Sequence, residues 1–385
     1  MRRLVASVLG MVGALLLACS LAATPARAAV SEPQLTQAQA ALVEDSRGNV
    51  LYSMNADARI NPASITKIMT AVVALESGKD LDATYTLQGV TLDENAQIAG
   101  YQAGMTSTLR DLMRVMLVYS ANDAASEVAI ACAGSEAAFV QKMNDKAAEL
   151  GMTNTHFVNP HGLDADGHYS SASDLVLLGR YALEHYPLIA RYVSTKSVTV
   201  PVGSVQRTFD STDEFMKSYP GGLGIKTGLG NTVANFLGAS RRDGVTIYSC
   251  VLGCETSEGR FEDTRILHDW AWGTFGRYEL ADSSLAISVR PFAYHFGLST
   301  LVTADASTVG LVWPDGGATT YERYLGTPGS LGVPGTSVGT CQWTQDTRTV
   351  ATVTYSARPG LVRSYSGFGL LDQQMHYAPA LMPGA

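Results

Sequence analysis

Ser64 and Lys67, three residues apart, combine a hydroxyl and an amine that could carry out covalent catalysis. Because three residues make nearly one helical turn, a helix would place the hydroxyl and the amine on one face. A serine hydroxyl is a poor nucleophile at neutral pH and needs a base within hydrogen-bond reach. Lysine can be that base when burial or a nearby cation lowers its pKa. The pair could form a serine nucleophile activated by a lysine, although S-x-x-K alone is a short pattern that is more typical of an ordinary amphipathic helix.

The surrounding run 61–78, NPASITKIMTAVVALESG, carries the signals of a helix. Pro62 suits the first turn and Gly78 suits the end. The apolar stripe between them predicts that Ser64 and Lys67 lie at the edge of a core rather than in open water. The stripe consists of Ile65, Ile68, Met69, Val72 and Val73.

Two further polar motifs follow along the chain. Ser120 and Asn122 lie between a predicted helix over 108–119 and another from Asp123, where polar side chains are most often helix caps. Lys226 lies in GGLGIKTG, residues 221–228, which favours a strand that a ligand or another backbone approaches closely. A lysine there also fits an exposed charge on an edge strand.

Predicted strands and helices alternate along the chain around these motifs. Residues 38–54 predict a hairpin that turns at 46–49, and 193–205 predict a strand pair that turns at 201–204. Further helices are predicted over 136–150, 173–185 and 262–275, and further strands over 236–240 and 245–253.

The segment 152–173 has no periodicity and contains three of the seven histidines. His161 and His168 flank Asp164 and Asp166, so a metal site must be considered there. The cluster matches none of the recognised zinc patterns and suits an ordered surface loop. The sequence therefore predicts no metal and no cofactor.

Residues 1–28 have the charged, apolar and small-residue parts of a secretory signal, with cleavage expected after Ala28. A lipoprotein processing site at Cys19 is the second option. We expect an exported, extracytoplasmic protein that is secreted or associated with the cell wall or membrane. Loss of Arg2, Arg3 and Arg27 would change the formal charge from −8 to −11, which argues against nucleic acid as a partner.

The length of 385 residues favours one large domain and one smaller domain. Short alternating segments after Tyr278 predict a small all-β domain. The expected division is a signal peptide at 1–28, a catalytic domain at 29–281, a β-rich domain at 282–360 and a tail at 361–385. Cys250 and Cys254 lie in a strand-like run, where four extended residues span about 13 Å. This distance is too long for a disulfide between them, so we expect both to be buried thiols.

Together the motifs resemble the active-site set S-x-x-K, S-x-N, K-T-G of penicillin-binding proteins and class A β-lactamases. The flanking sequences NPHGL at 159–163 and YSSASDLVLLGRYAL at 169–183 are similar to those of the low-molecular-mass D-alanyl-D-alanine carboxypeptidases of the S11 peptidase family. The resemblance covers about residues 35–280. It implies an α/β (α+β) catalytic domain like that of penicillin-binding proteins and serine β-lactamases, beside the small all-β domain.

The resemblance also implies a role for each matching residue. Ser64 would attack the D-Ala-D-Ala carbonyl of a peptidoglycan stem peptide, Lys67 would take its proton, and Ser120, near both lysines, would pass a proton to the departing amine. β-Lactams would acylate the same serine. The binding residues would be Asn122 for the substrate amide, Lys226 and Thr227 for the carboxylate, Gly228 for close approach of the substrate, and the N–H of Leu229, with that of Ser64, for the oxyanion.

The sequence departs from the family pattern after K-T-G, at Gly230, Val233 and Ala234, and upstream, where residues 210–213 replace asparagines. These positions bear on substrate preference. Three alternatives stay open: an endopeptidase of the same family, a β-lactamase, and a non-catalytic module that binds the wall or senses β-lactams. A β-lactamase would need a carboxylate base on the 152–173 loop, and intact Ser64, Lys67 and Lys226 argue against the non-catalytic module.

Overall fold

The computed structural model describes residues 30–292, 295–326, 335–358 and 362–363. At its centre is an antiparallel five-stranded sheet in the order β2-β1-β9-β8-β7. Its strands are β1 (Ala40–Asp45), β2 (Val50–Met54), β7 (Gly222–Leu229), β8 (Ala234–Arg242) and β9 (Val245–Cys254). The predicted hairpin around 46–49 and the paired strands after Lys226 are confirmed.

Helices cover both faces of this sheet because side chains along each strand alternate between two cores. Leu42 belongs to the larger core, while its neighbours Ala41 and Val43 belong to the smaller one. The helices that build the larger core are α1 (Lys67–Glu76), α2 (Leu109–Val118), α3 (Asn122–Ala133), α4 (Glu136–Leu150), α5 (Ala172–His185) and α6 (Pro187–Val193). α7 (Glu214–Ser218) and α8 (Ser257–Thr274) lie with the smaller core.

Two short antiparallel pairs complete this part of the chain. One joins β3 (Thr84–Thr86) to β4 (Thr106–Thr108), and the other joins β5 (Ser197–Val202) to β6 (Val205–Asp210). The predicted strand pair at 193–205 was therefore wrong in its bounds, and the short helix α6 was not predicted. Seven residues are too few to show helical periodicity. α8 begins five residues earlier than predicted, because Thr256 caps it by accepting from the N–H of Gly259.

The described part of the chain contains four free, buried cysteines, at 132, 250, 254 and 341. Cys250 belongs to the larger core and Cys254 to the smaller one, on the opposite face of the sheet. The positive φ of Gly253, +76°, breaks the alternation that would otherwise place both on one face. The expected buried thiols are confirmed.

The β-rich region after α8 forms one two-stranded and one six-stranded sheet. A T-shaped pair of Phe275 and Trp313, with ring centroids 5.5 Å apart, packs this region against the smaller core. Its strands are β10 (Gly276–Ala281), β11 (Ala286–Phe292), β12 (His295–Ala304), β13 (Thr308–Val312), β14 (Thr319–Leu325), β15 (Ser337–Gln345), β16 (Arg348–Ala357) and β17 (Val362–Arg363). The segments 285–289, 300–304, 310–313 and 350–355, predicted as strands, correspond to β11, β12, β13 and β16, whereas β10, β14, β15 and β17 were not predicted. Because β10 pairs with β13, strand pairing crosses the expected boundary at 281, which stays a prediction.

The expected signal at 1–28, with Cys19, and most of the tail at 361–385 lie outside the described residues. None of the helices within the described ranges is both long enough and apolar enough to cross a membrane.

Candidate active site

Ser64 lies in a 3-10 turn, Ala63–Thr66, that leads directly into α1. Lys67 is the first residue of α1, and its Nζ lies 2.9 Å from Ser64 Oγ. Ala63 has a φ of +48°, a backbone conformation that is costly for a residue with a side chain. The spacing of three residues therefore produces the predicted contact, and it does so on a strained turn.

Lys67 is fully buried, and two further oxygens surround its amine. Its Nζ donates to Asn122 Oδ1 at 2.7 Å and to the carbonyl of His161 at 2.5 Å. Burial above all, and then the charge of Lys226, lower the pKa of Lys67 well below its usual 10.5, while Asp123 opposes the shift. A neutral amine that donates to these two oxygens keeps its lone pair for the hydroxyl proton of Ser64. The geometry thus fits a general base.

Ser120 and Asn122 lie at the junction of α2 and α3, as expected, but neither caps a helix. Asn122 faces Lys67, and the N-cap of α3 is Ala121, without a side-chain hydrogen bond. Ser120 has a φ of +71°, and its Oγ accepts from Lys226 Nζ at 2.9 Å. The junction therefore contacts both lysines: Ser120 contacts Lys226, and Asn122 contacts Lys67.

Lys226 lies on β7, the edge strand of the sheet, but only 2% of it is exposed. The expectation of a solvated edge-strand charge was wrong, because the α2–α3 junction covers this strand: Nζ contacts Ser120 and the carbonyl of Thr227 at 3.0 Å. Burial, and then the charge of Arg260, lower the pKa of Lys226 to about 7, and Asp213 opposes the shift. The amine therefore titrates close to neutral pH.

Two glycines of β7 lie where a backbone carbonyl of another segment leaves no room for a side chain. A Cβ on Gly228 would lie 2.6 Å from the carbonyl oxygen of Pro62, so the strand end adjoins the turn of Ser64 and brings Leu229 beside it. Gly224 has a φ of +83°, and a Cβ there would lie 2.7 Å from the carbonyl oxygen of Val193. At both positions the close approach is made by the protein's own backbone, so neither glycine needs the substrate to explain it, and substrate binding at Gly228 stays a prediction.

The 152–173 loop packs onto α1 through its histidine-rich part. His168 Nδ1 accepts from the N–H of Val158 at 3.0 Å, so its Nε2 carries the proton that Thr66 Oγ1 accepts at 2.9 Å. Burial lowers the pKa of His161 to about 3 and that of His168 to about 4, so both are neutral at pH 7. Among the residues that the structure describes, no three His, Cys, Asp or Glu are grouped to hold a metal ion.

Three residues of the site were missed from the sequence. Arg260 on α8 donates from Nη1 to the carbonyl of Gly228 at 2.7 Å, and Thr212 Oγ1 lies 2.6 Å from Thr227 Oγ1. Burial raises the pKa of Asp213, which caps α7, to about 6. Apart from the departure noted at 210–213, no local pattern signals Arg260 or Thr212, because their partners are 32 and 15 residues away.

This sheet between two helical layers, with a Ser–Lys pair beside a buried strand lysine, defines the class of serine enzymes that includes penicillin-binding proteins and serine β-lactamases. The family model described as D-alanyl-D-alanine carboxypeptidase, peptidase family S11, matches residues 26–256. The chain belongs to this family.

Individual relatives agree with that assignment. D-alanyl-D-alanine carboxypeptidase DacF of Bacillus subtilis is 33% identical over 246 residues, which are 62% of this chain and 62% of the relative, so the match spans less than two thirds of that protein. Penicillin-binding protein D2 of Listeria monocytogenes, solved with cefotaxime bound, is 34% identical with a TM-score of 0.56. It covers 62% of this chain and 99% of its own.

The β-rich region has a structural counterpart as well. Penicillin-binding protein 5 of Haemophilus influenzae superposes with a TM-score of 0.63 over 86% of this chain and 99% of its own. Its sequence is 23% identical, so the likeness shows the fold alone.

Proposed function

We propose that the protein is an exported serine-type D-Ala-D-Ala carboxypeptidase that removes the terminal D-alanine of peptidoglycan stem peptides through an acyl-enzyme on Ser64. The observation that carries the proposal is the buried Lys67 amine 2.9 Å from Ser64 Oγ, with its pKa lowered. Family membership and the names of the relatives support the substrate class.

In the proposed acylation, Lys67 Nζ takes the hydroxyl proton as Ser64 Oγ bonds to the carbonyl carbon of the penultimate D-alanine. The N–H groups of Ser64 and Leu229 stabilise the oxyanion, each by about 3 kcal/mol. The C–N bond then breaks, and the departing amine receives the proton by way of Ser120. Water hydrolyses the ester, which restores the serine and releases the shortened peptide.

Two groups hold the substrate in this proposal. The terminal carboxylate is bound by the ammonium of Lys226 and the hydroxyl of Thr227, which Thr212 orients. An incoming carboxylate favours the charged form of Lys226, whose pKa of about 7 in the free enzyme leaves it partly neutral. Asn122 holds the substrate amide with the nitrogen of its side chain, because its oxygen accepts from Lys67.

The alternatives differ in what they would require of the site. A β-lactamase needs a carboxylate base that faces Ser64. Of the two aspartates on the 152–173 loop, Asp164 already accepts from Asn61 and Asn231, and Asp166 is exposed. A non-catalytic module would not need the depressed pKa of Lys67. An endopeptidase of the same family would share every feature above and differ in the groove around them.

One mass-spectrometry experiment tests the proposal. The purified protein is incubated with penicillin and, separately, with a bisacetyl-Lys-D-Ala-D-Ala peptide. We expect a covalent penicillin adduct on Ser64 and loss of one alanine from the peptide. An adduct without alanine release would favour the sensing module, and rapid decay of the adduct would favour a β-lactamase.

Lys226→Met should discriminate between substrates by their terminal charge. Methionine fills the buried space without the ammonium, so KM for the free-acid peptide should rise at least tenfold, while KM for an amidated peptide should be almost unaffected. In the wild type, KM for the free acid should rise as pH increases above about 7, since Lys226 then loses its proton. Equal losses for both peptides would mean that Lys226 does not bind the carboxylate.

We also propose the division into a catalytic domain at 29–281 and a β-rich domain at 282–360, with the latter as a pedestal or packing partner. The Listeria structure supports it, since 99% of that chain matches only 62% of this one. Export through residues 1–28, association with the cell wall or membrane, and acylation by β-lactams belong to the same proposal. For the Listeria protein, cefotaxime- and ampicillin-bound forms have been solved.

A chain that ends at Ala281 should still be acylated by penicillin, because the hydrogen bonds of Lys67, Asn122 and Lys226 all lie within the catalytic part. Its melting temperature should be lower, because removal of Trp313 uncovers Phe275 and β10 loses its partner. Circular dichroism and intact mass provide the two readouts. A folded truncation that is not acylated would show that the β-rich region contributes to the site.

A further inference from the structure

Asp164 joins two segments that the proposed mechanism needs. Its Oδ1 accepts from the side-chain amide of Asn61, three residues before the nucleophile. Its Oδ2 accepts from the backbone N–H of Asn231 at 2.9 Å, two residues after Leu229. Each carboxylate oxygen therefore holds a different segment.

The Asn61 side chain also contacts the turn that carries the nucleophile, Ala63–Thr66, which is called the nucleophile turn below. While its Nδ2 donates to Asp164, its Oδ1 accepts from the N–H of Ala63 at 2.8 Å. Ala63 has the unfavourable φ of +48° and immediately precedes Ser64. Such a conformation persists only where its surroundings enforce it. Asp164 thus fixes the orientation of the amide that holds the strained residue.

The second contact fixes the turn between β7 and β8. This turn is closed by the N–H of Gly230, which donates to the carbonyl of Val233 at 2.9 Å, and it directly follows Leu229, whose side chain is exposed. A Cβ at position 230 would lie 3.1 Å from Asp164 Oδ1, so glycine leaves room for the carboxylate. The departure from the family pattern at Gly230 is compatible with this close contact.

We infer that Asp164 is a positioning residue. It fixes the position of the two oxyanion-hole donors, the N–H groups of Ser64 and Leu229, relative to one another. The inference rests on the proposed function. Ser64 lies on a turn, and Leu229 is the last residue of β7, next to the β7–β8 turn. Without the carboxylate, the nucleophile turn and the β7–β8 turn lose a shared anchor. An error of a fraction of an ångström between the donors lowers the stabilisation of a developing oxyanion more than it lowers ground-state binding.

The test compares Asp164→Ala with Asp166→Ala. Asp166 is exposed on the same loop, and the hydrogen bonds within the described residues include none to its side chain. Asp164→Ala should lower the acylation rate with penicillin and kcat for the peptide by about 10- to 100-fold, below the 10²–10³-fold cost of losing a donor outright. KM should change less than threefold, and Asp166→Ala should match the wild type in all three quantities.

A double-mutant cycle with Asn61→Ala separates positioning from general loss of structure. If Asp164 acts through Asn61, the double variant should lose little more acylation rate than the worse single variant. A kcat within twofold of the wild type for Asp164→Ala would overturn the inference, as would a rise in KM alone, additive effects in the cycle, or a loss that equals the unfolded fraction seen by circular dichroism.

The wild type distinguishes failure of this inference from failure of the proposed function. If the wild type forms no penicillin adduct and releases no alanine, the proposed function is wrong and the inference falls with it. If the wild type reacts and Asp164→Ala reacts equally fast, only the inference is wrong.

Discussion

Ser64→Ala should abolish the covalent penicillin adduct and lower alanine release by on the order of 10⁴-fold or more, the scale seen when a serine nucleophile is removed. The adduct needs an oxygen beside the Lys67 amine, and Ser64 Oγ occupies that place at 2.9 Å. Intact mass spectrometry after incubation with penicillin measures the adduct, and released D-alanine measures turnover.

Ser77→Ala provides the matched control, since Ser77 follows the same helix at its far end. It caps α1 there, because its backbone N–H and its hydroxyl both donate to the carbonyl of Ala74, outside the site. This variant should acylate like the wild type. An adduct on Ser64→Ala would contradict the assignment and would direct attention to Ser120, the other hydroxyl that contacts a buried lysine.

Elements with local signals were predicted closely. Helix α4 has the expected bounds of 136–150, because the Ser135 hydroxyl caps its start and Gly151, at a φ of +79°, ends it. The S-x-x-K contact followed from helical spacing alone. Each of these features depends on residues within a few positions of one another, which a sequence pattern can encode.

The environment of the two lysines could not be predicted in this way. Lys67 reaches Asn122 and the carbonyl of His161, which are 55 and 94 residues away in the chain. Lys226 lies on an edge strand, where local rules favour an exposed charge, and it is buried by a junction that is 106 residues earlier. The pKa values of these amines, and so their proposed roles, depend on long-range packing.

The role of Asp164 could not be predicted from the sequence either. In the sequence it belongs to a group of His and Asp that raises the question of a metal ion. In the structure its oxygens are taken by Asn61 and by the N–H of Asn231, while His168 is neutral and hydrogen-bonded on both ring nitrogens. Residue types alone could not separate a ligand cluster from a set of loop anchors.

Lys67→Arg should lower the acylation rate by on the order of 10³-fold, within the range for loss of a general base. Arginine keeps a positive charge and hydrogen-bond donors but does not deprotonate in proteins, so it cannot take the proton of Ser64. In the wild type, acylation should slow as pH falls, because protonation of Lys67 removes its lone pair. Stopped-flow or quenched mass measurements from pH 5 to 9 would follow both enzymes.

A guanidinium is larger than an ammonium and could disturb the buried site, so Lys67→Met serves as a second variant. Circular dichroism must show that at least one of the two variants folds. Methionine leaves Asn122 Oδ1 and the carbonyl of His161 without their donor, which should lower the stability by about 1–3 kcal/mol per group. Removal of the buried amine acts in the opposite direction, because burial of that polar group is itself unfavourable. Either folded variant should lose the pH dependence along with the rate. A folded Lys67→Arg protein within tenfold of the wild-type rate would show that the amine acts as a charge and that another group accepts the proton.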